Sequence, residues 1–146
     1  MMPDQTSESS RIGLIVASHG SLAQSLVETG ELVLGRKTPL RAFIFNDSDE
    51  PKKILRQMRA LARKSDQGQG VIIMVDLFGG TPGSLALSMM FGDKKVEVLT
   101  GANLPMIIAA AKLSPEASLA EACRTIVDAG AGAIMKAGSM LDGEKR

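Results

Sequence analysis

Arg11-Ile12-Gly13-Leu14-Ile15-Val16-Ala17-Ser18-His19-Gly20 is the stretch whose reading decides the fold. Ile12, Leu14, Ile15, Val16 and Ala17 make a nearly continuous apolar run, the pattern of a strand buried on both faces of a parallel sheet. The run stops at Ser18-His19-Gly20, where a strand gives way to a helix. Open α/β sheets bind their ligands at such carboxyl ends. His19 is the only histidine in the chain. The expectation built on this placement is that His19 is a nucleophile that accepts a phosphoryl group and passes it on.

Before this stretch, Met1–Ser10 is polar, has little to bury and reads as a disordered tail. It lacks the basic end and apolar middle of a signal peptide. After it, Ser21-Leu22-Ala23-Gln24 has the form of a capping box. Leu22, Ala23, Leu26, Val27, Gly30, Val33 and Leu34 then recur on one helix face, with Gly35 as the stop. Leu40–Phe45 reads as a second, shorter strand and Asn46–Glu50 as an acidic turn. Pro51 suits the first turn of a second helix, which buries Ile54, Leu55, Met58, Leu61 and Ala62. Ser65–Gly70 is a loop.

Val71–Val75 is the most apolar stretch and the third strand. It ends at Asp76 and runs into Leu77-Phe78-Gly79-Gly80-Thr81-Pro82-Gly83-Ser84. Thr81 is placed as N-cap and Pro82 as the first residue of a third helix. That helix carries Leu85, Ala86, Met89 and Met90 and stops near Gly92. Lys95–Thr100 forms the fourth strand, and Asn103 caps a helix over Met106–Ala111. Ser114-Pro115 opens another, with Leu119, Ala122, Cys123, Ile126 and Val127 inward and a break at Gly130–Gly132. Ala133–Leu141 is read as a short last strand and Gly143–Arg146 as a charged end.

Alternating strands and helices predict an α/β fold: one three-layer domain over residues 11–142, a mostly parallel four-stranded sheet with helices on both faces. Right-handed crossovers limit the possible orders, and with the second strand outside the first and the third on its other side the order is 2-1-3-4. The switch point then lies between the first and third strands, flanked by Ser18–Ser21 and Asp76–Ser84. This brings His19 beside Asp76, which are far apart in the chain.

Composition narrows the function. A length of 146 residues suits one domain, and 45% hydrophobic residues suit a folded core. The net charge of +1, the absence of Trp and Tyr and only four Phe argue against a nucleic-acid partner. The one cysteine, Cys123, excludes an internal disulfide and a cysteine-based zinc cluster. No apolar run reaches bilayer length. The expectation is a soluble, cytoplasmic chain with no direct membrane insertion. The nine methionines read as core filling.

Chemistry converges on two loops. A free imidazole titrates at about 6.5, so a neutral nucleophile is available near pH 7. Asp76 can accept the proton of one ring nitrogen, hold the tautomer and stabilise developing positive charge. Gly79 and Gly80 let the backbone approach an anion, and the helix starting at Pro82 aims its amides there. The Thr81 hydroxyl can donate to a phosphoryl oxygen or serve the helix cap, but its one proton cannot do both. Neither a P-loop nor a dinucleotide fingerprint is present. One His and one Cys leave no metal site to expect, and no cofactor is expected. A triad of His19 with Ser18, Ser21 or Ser84 lacks the Gly-x-Ser-x-Gly elbow. Asn103 reads as a helix cap.

Three motifs together resemble one family. Ile12–Ala23, Val75-Asp-Leu-Phe-Gly-Gly-Thr-Pro82 and Thr100-Gly-Ala-Asn-Leu-Pro-Met106 are similar to the mannose-type enzyme IIA of the bacterial sugar phosphotransferase system, in matching order over roughly residues 12–127. The resemblance implies a four-stranded parallel sheet and a homodimer that exchanges a further, antiparallel C-terminal strand. It implies that His19 Nε2 takes phosphate from phosphorylated HPr and gives it to a IIB component, with Asp76 orienting the ring. Thr81 falls where the family has Ser or Thr near the phosphoryl group. Gly83-Ser84 departs from the family's variable residue followed by Asn. Ser84 keeps a shorter donor, and Gly83 removes bulk from an expected docking surface. The chain length implies a separate IIB protein.

Two other readings come from different classes. A regulatory phosphoacceptor would be charged by HPr and signal to a kinase or transcription factor. The phosphotransfer subunit of dihydroxyacetone kinase is similar in its first strand, but Asp76–Pro82 fits the sugar-transport branch better. A tetrapyrrole chelatase also ends its first strand in His-Gly-Ser, but needs a second histidine, which this chain lacks.

Overall fold

Strands β1 (Gly13–Ala17) and β3 (Val71–Val75) are buried at every residue. This is why their apolar runs show no alternation. A computed structural model describes residues 10–93 and 95–141. With β2 (Arg41–Phe43) and β4 (Val96–Thr100) the two strands form an all-parallel sheet of order β2-β1-β3-β4. The helices are α1 (Leu22–Leu34), α2 (Pro51–Ser65), α3 (Gly80–Gly92), α4 (Leu104–Ala111), α5 (Leu119–Gly132) and the short α6 (Ala137–Leu141).

Side chains of successive strand residues leave the sheet on opposite faces. Leu14, Val16, Ile72, Met74 and Leu99 pack with Ala23 and Val27 of α1, Met106, Ile107 and Ala110 of α4, and Ala122 and Ile126 of α5. Ile15, Ala17, Val71, Ile73, Val75 and Val96 pack with Ile54, Met58 and Ala62 of α2 and Ala86 and Met89 of α3. The sheet is thus covered on both faces, and the predicted architecture and strand order hold. Ile73 lies between Ile15 and Val98 in the register and is fully buried. Ile73→Ala should cost about 2–5 kcal/mol, read as a lower urea midpoint at unchanged slope.

Local details differ from the sequence reading. Ser21 occupies the α1 N-cap but makes no side-chain cap bond; the Ser18 hydroxyl accepts from Ala23 N–H instead, at 2.6 Å. Leu22 and Val33 are exposed, and the buried face of α1 is Ala23, Val27 and Gly30. Helix α3 starts at Gly80, so Thr81 and Pro82 lie inside its first turn and Gly79 is the N-cap. The last long helix opens at Leu119, not Ser114-Pro115, because Ser118 and Glu121 form a full capping box. It runs through Gly130, and Val127 is exposed.

The strand expected over Ala133–Leu141 is not formed: Ala137–Leu141 is helical, with Ser139 N–H donating to Lys136 O at 3.1 Å. A strand needs a neighbour to take up its backbone groups, whereas a helical turn satisfies them within the segment. The segment an exchanged strand would use is therefore helical in the single chain. The expected tail over residues 1–10 falls outside the described residues except for Ser10, which is buried and accepts from Ile12 N–H. The charged end at 143–146 lies outside them entirely.

Candidate active site

Parallel register places the site. Ala17 pairs with Val75, so Ser18 and Asp76 leave the sheet at the same level. One residue on, the His19 backbone N–H donates to Asp76 Oδ2 at 3.0 Å, and the ring Nδ1 lies 2.9 Å from the same oxygen. The other carboxylate oxygen accepts from Leu77 N–H at 3.0 Å. The Asp76 side chain is 11% exposed and that of His19 49%. Topology alone predicted this meeting, and the structure brings the two together.

Burial pushes the Asp76 carboxyl up. The His19 backbone N–H, then the His19 ring and its charge, and the Leu77 N–H outweigh it and hold the carboxyl below its usual value. An ionised carboxylate only accepts hydrogen bonds, so Nδ1 donates to it, and in the neutral ring the lone pair lies on Nε2. Nε2 makes no hydrogen bond among the described residues. The ring is thus held at one nitrogen and open at the other, the arrangement of an oriented nucleophile.

The start of α3 lies against that open nitrogen. Gly80 has φ +78° and approaches the ring so closely that a Cβ there would sit 2.6 Å from Cε1 and closer still to Nε2. Among the described residues no side chain caps α3. Its first-turn amides and the positive end of its dipole remain unclaimed by a side chain beside His19, as at anion-binding helix starts.

The remaining candidates follow from this geometry. Gly79 is the extended N-cap, and Thr81 is exposed with its hydroxyl unbonded among the described residues, so its proton is not spent on the cap. Ser84 is exposed on the face of α3 that carries Gly80, four residues on, with no bond to His19. Gly83 was expected on a docking surface, and the structure corrects this. It is buried, and a Cβ there would meet Leu77 O at 2.8 Å, so its smallness lets the Leu77–Phe78 loop fold onto α3. Asn103 is a cap: Oδ1 accepts from Met106 N–H and Nδ2 donates to Gly130 O. Ser18 Oγ bonds the His19 carbonyl rather than its ring, so Ser18 forms no dyad with the imidazole. The reading of the sequence overlooked Gly80 as a contact of the imidazole; a Gly-Gly pair opening a helix was its only signal.

The site is an exposed shelf at the carboxyl ends of β1 and β3. Cavities of about 310 Å³ and 430 Å³ open at the opposite end of the sheet, beside Arg59, Arg63 and Lys95 and beside Arg36, Lys37 and Lys112. Among the described residues no helix is long and apolar enough to cross a membrane.

Comparison with known proteins shows the family. The family EIIA-man, described as PTS system fructose IIA component, matches residues 13–127. The PTS system mannose-specific EIIAB component of Escherichia coli (strain K12) is 28% identical over 97 residues, 66% of this chain and 30% of that protein. The chain therefore spans under a third of that relative. The transcriptional regulatory protein LevR of Bacillus subtilis (strain 168) is 35% identical over 101 residues, 68% of this chain and 10% of LevR. The solved mannose/sorbose specific IIA subunit of the phosphotransferase system from Enterococcus faecalis superposes with a TM-score of 0.75 at 25% identity, covering 86% of this chain and 93% of that one. On the family match over most of its length, and the four-stranded parallel sheet that the resemblance implied, the chain belongs to the EIIA-man family of the phosphotransferase system.

Proposed function

We propose that the chain is a phosphohistidine carrier that takes a phosphoryl group from phosphorylated HPr on His19 and passes it to a IIB component for sugar uptake and phosphorylation. The observation that carries this is the pinned imidazole: Nδ1 held by Asp76 at 2.9 Å, with Nε2 open beneath the start of α3. The Nε2 lone pair attacks phosphorus, the N–P bond of the donor breaks, and its electron pair returns to the donor's imidazole. The ring proton stays on Nδ1 throughout, and Asp76 stabilises the charge that the ring gains. The amides of Gly80 and Thr81, the Gly79 turn and the hydroxyls of Thr81 and Ser84 are the donors assigned to the phosphoryl oxygens. No metal and no cofactor takes part in this step. Half-exposure of His19 suits a donor that is itself a protein, and the reading places the chain in the cytoplasm.

The test is incubation with phosphorylated HPr. One equivalent of acid-labile, base-stable phosphate is expected, discharged by a cognate IIB. No label overturns the reading. Asp76→Asn should slow uptake roughly 10²–10⁴-fold, since the tautomer is no longer fixed. Its stability effect has a definite sign. The folded carboxyl titrates below its usual value, so the advantage of the wild type over Asp76→Asn is full above about pH 4 and shrinks as pH falls below it. Thermal melts of both proteins from pH 2 to 7 check this.

A second reading has its own observation, the 35% identity to a protein called a transcriptional regulator. In it the phosphorylated chain signals to a kinase or transcription factor. Rapid discharge to IIB favours the carrier; stable label that no IIB accepts favours regulation.

A further inference from the structure

We propose that Ser18 is a positioning residue for phosphoryl transfer, its hydroxyl holding the carbonyl end of His19 while Asp76 holds the amide end. This rests on the reading of His19 as the phosphoryl acceptor.

Ser18 follows the last residue of β1 and is 2% exposed, whereas His19 beside it is open to solvent. The Ser18 hydroxyl does two things at once. It donates to His19 O at 3.0 Å and accepts from Ala23 N–H at 2.6 Å. Ala23 is the second residue of α1 and lies in the core. His19 N–H is bound to Asp76 Oδ2, at the end of β3. The His19 backbone is therefore tied at one end to a core strand and at the other to a core helix.

A plain helix cap would explain only half of this. Capping needs an oxygen lone pair, and Ser21 stands at the N-cap position with a hydroxyl that makes no cap bond. The chain instead uses the more distant Ser18, whose remaining proton goes to the peptide of the reactive residue. Gly20 follows with φ +56°, a joint able to rotate once that carbonyl is released. The imidazole must meet an incoming phosphorus in line, and a displacement of about 1 Å at such a contact costs up to about 10²-fold in rate.

The test compares wild type, Ser18→Ala and Ser18→Thr, each well below its own melting temperature. Uptake from phosphorylated HPr is followed from limiting to saturating donor, and the imidazole nitrogens by ¹⁵N NMR. Ser18→Ala should lose about 10-fold or more in maximal rate with the donor KM within about 2-fold, and its Nδ1 signal should move toward a tautomer mixture. Ser18→Thr, which keeps the hydroxyl, should restore rate and spectrum. A folded Ser18→Ala with wild-type rate and spectrum, whatever its melting temperature, overturns the proposal. So does a folded Ser18→Thr that fails to restore them. If the wild type itself takes no phosphate, the carrier reading falls, and the spectra alone decide whether Ser18 holds the ring.

Discussion

His19→Ala should take up no acid-labile phosphate from phosphorylated HPr and should remain folded. The chain has one imidazole, so no second residue of its kind can carry the label. The side chain is half exposed and packs in neither core cluster, so its loss removes little buried area. Asp76 keeps most of its partners in the variant. The backbone N–H of residue 19 and that of Leu77 both still donate to it, at 3.0 Å each in the wild type. The melting temperature should therefore stay close to that of the wild type, while the label falls to background. Label persisting on the variant, with the same acid lability, refutes His19 as the acceptor.

Gly80→Ala should be nearly as damaging without removing a reacting atom. The new methyl group would stand 2.6 Å from His19 Cε1 and closer to Nε2, a separation no pair of carbons tolerates. Either the ring swings away from Asp76 or the first turn of α3 retreats. Both outcomes separate the nucleophile from the amides that would receive the phosphoryl oxygens. A loss of transfer on the order of 10²-fold or more follows from misplacement of that size. Alanine at φ +78° adds about 1–2 kcal/mol of backbone strain, so the variant also melts earlier. Gly92→Ala is the control. It lies at the far end of the same helix, where an added Cβ meets nothing within 4 Å, and it should transfer at the wild-type rate. Equal rates for Gly80→Ala and wild type would show that the ring does not depend on this contact.

The two effects have different origins. His19 was visible as chemistry: a lone imidazole at the end of an apolar run. Gly80 was visible only as a residue that permits an unusual turn. Its contact with the ring arises because β1 and β3 are parallel neighbours in register, which sets the loops after Ala17 and Val75 side by side.

The sequence by itself determined the four strands of the sheet, the helices between them and their order. Continuous apolar runs at Ile12–Ala17 and Val71–Val75 can be satisfied only by strands covered on both sides, and helical spacing at Ile54, Met58 and Ala62 supplies one of the covers. Alternation and crossover handedness then place Asp76 near His19. Tertiary structure decided whatever depended on competition between similar local partners. Ser18 and Ser21 are equally capable as capping residues, and only the path of the chain out of β1 selects Ser18. Gly83 could as well have been on the surface as beneath Leu77. Ala133–Leu141 carries too little pattern to choose between strand and helix, and helix results where the segment bonds within itself. Burial is a sum over many residues and shows in their periodicity. Which hydroxyl meets which amide turns on fractions of an ångström, and these exist only once the layers have packed.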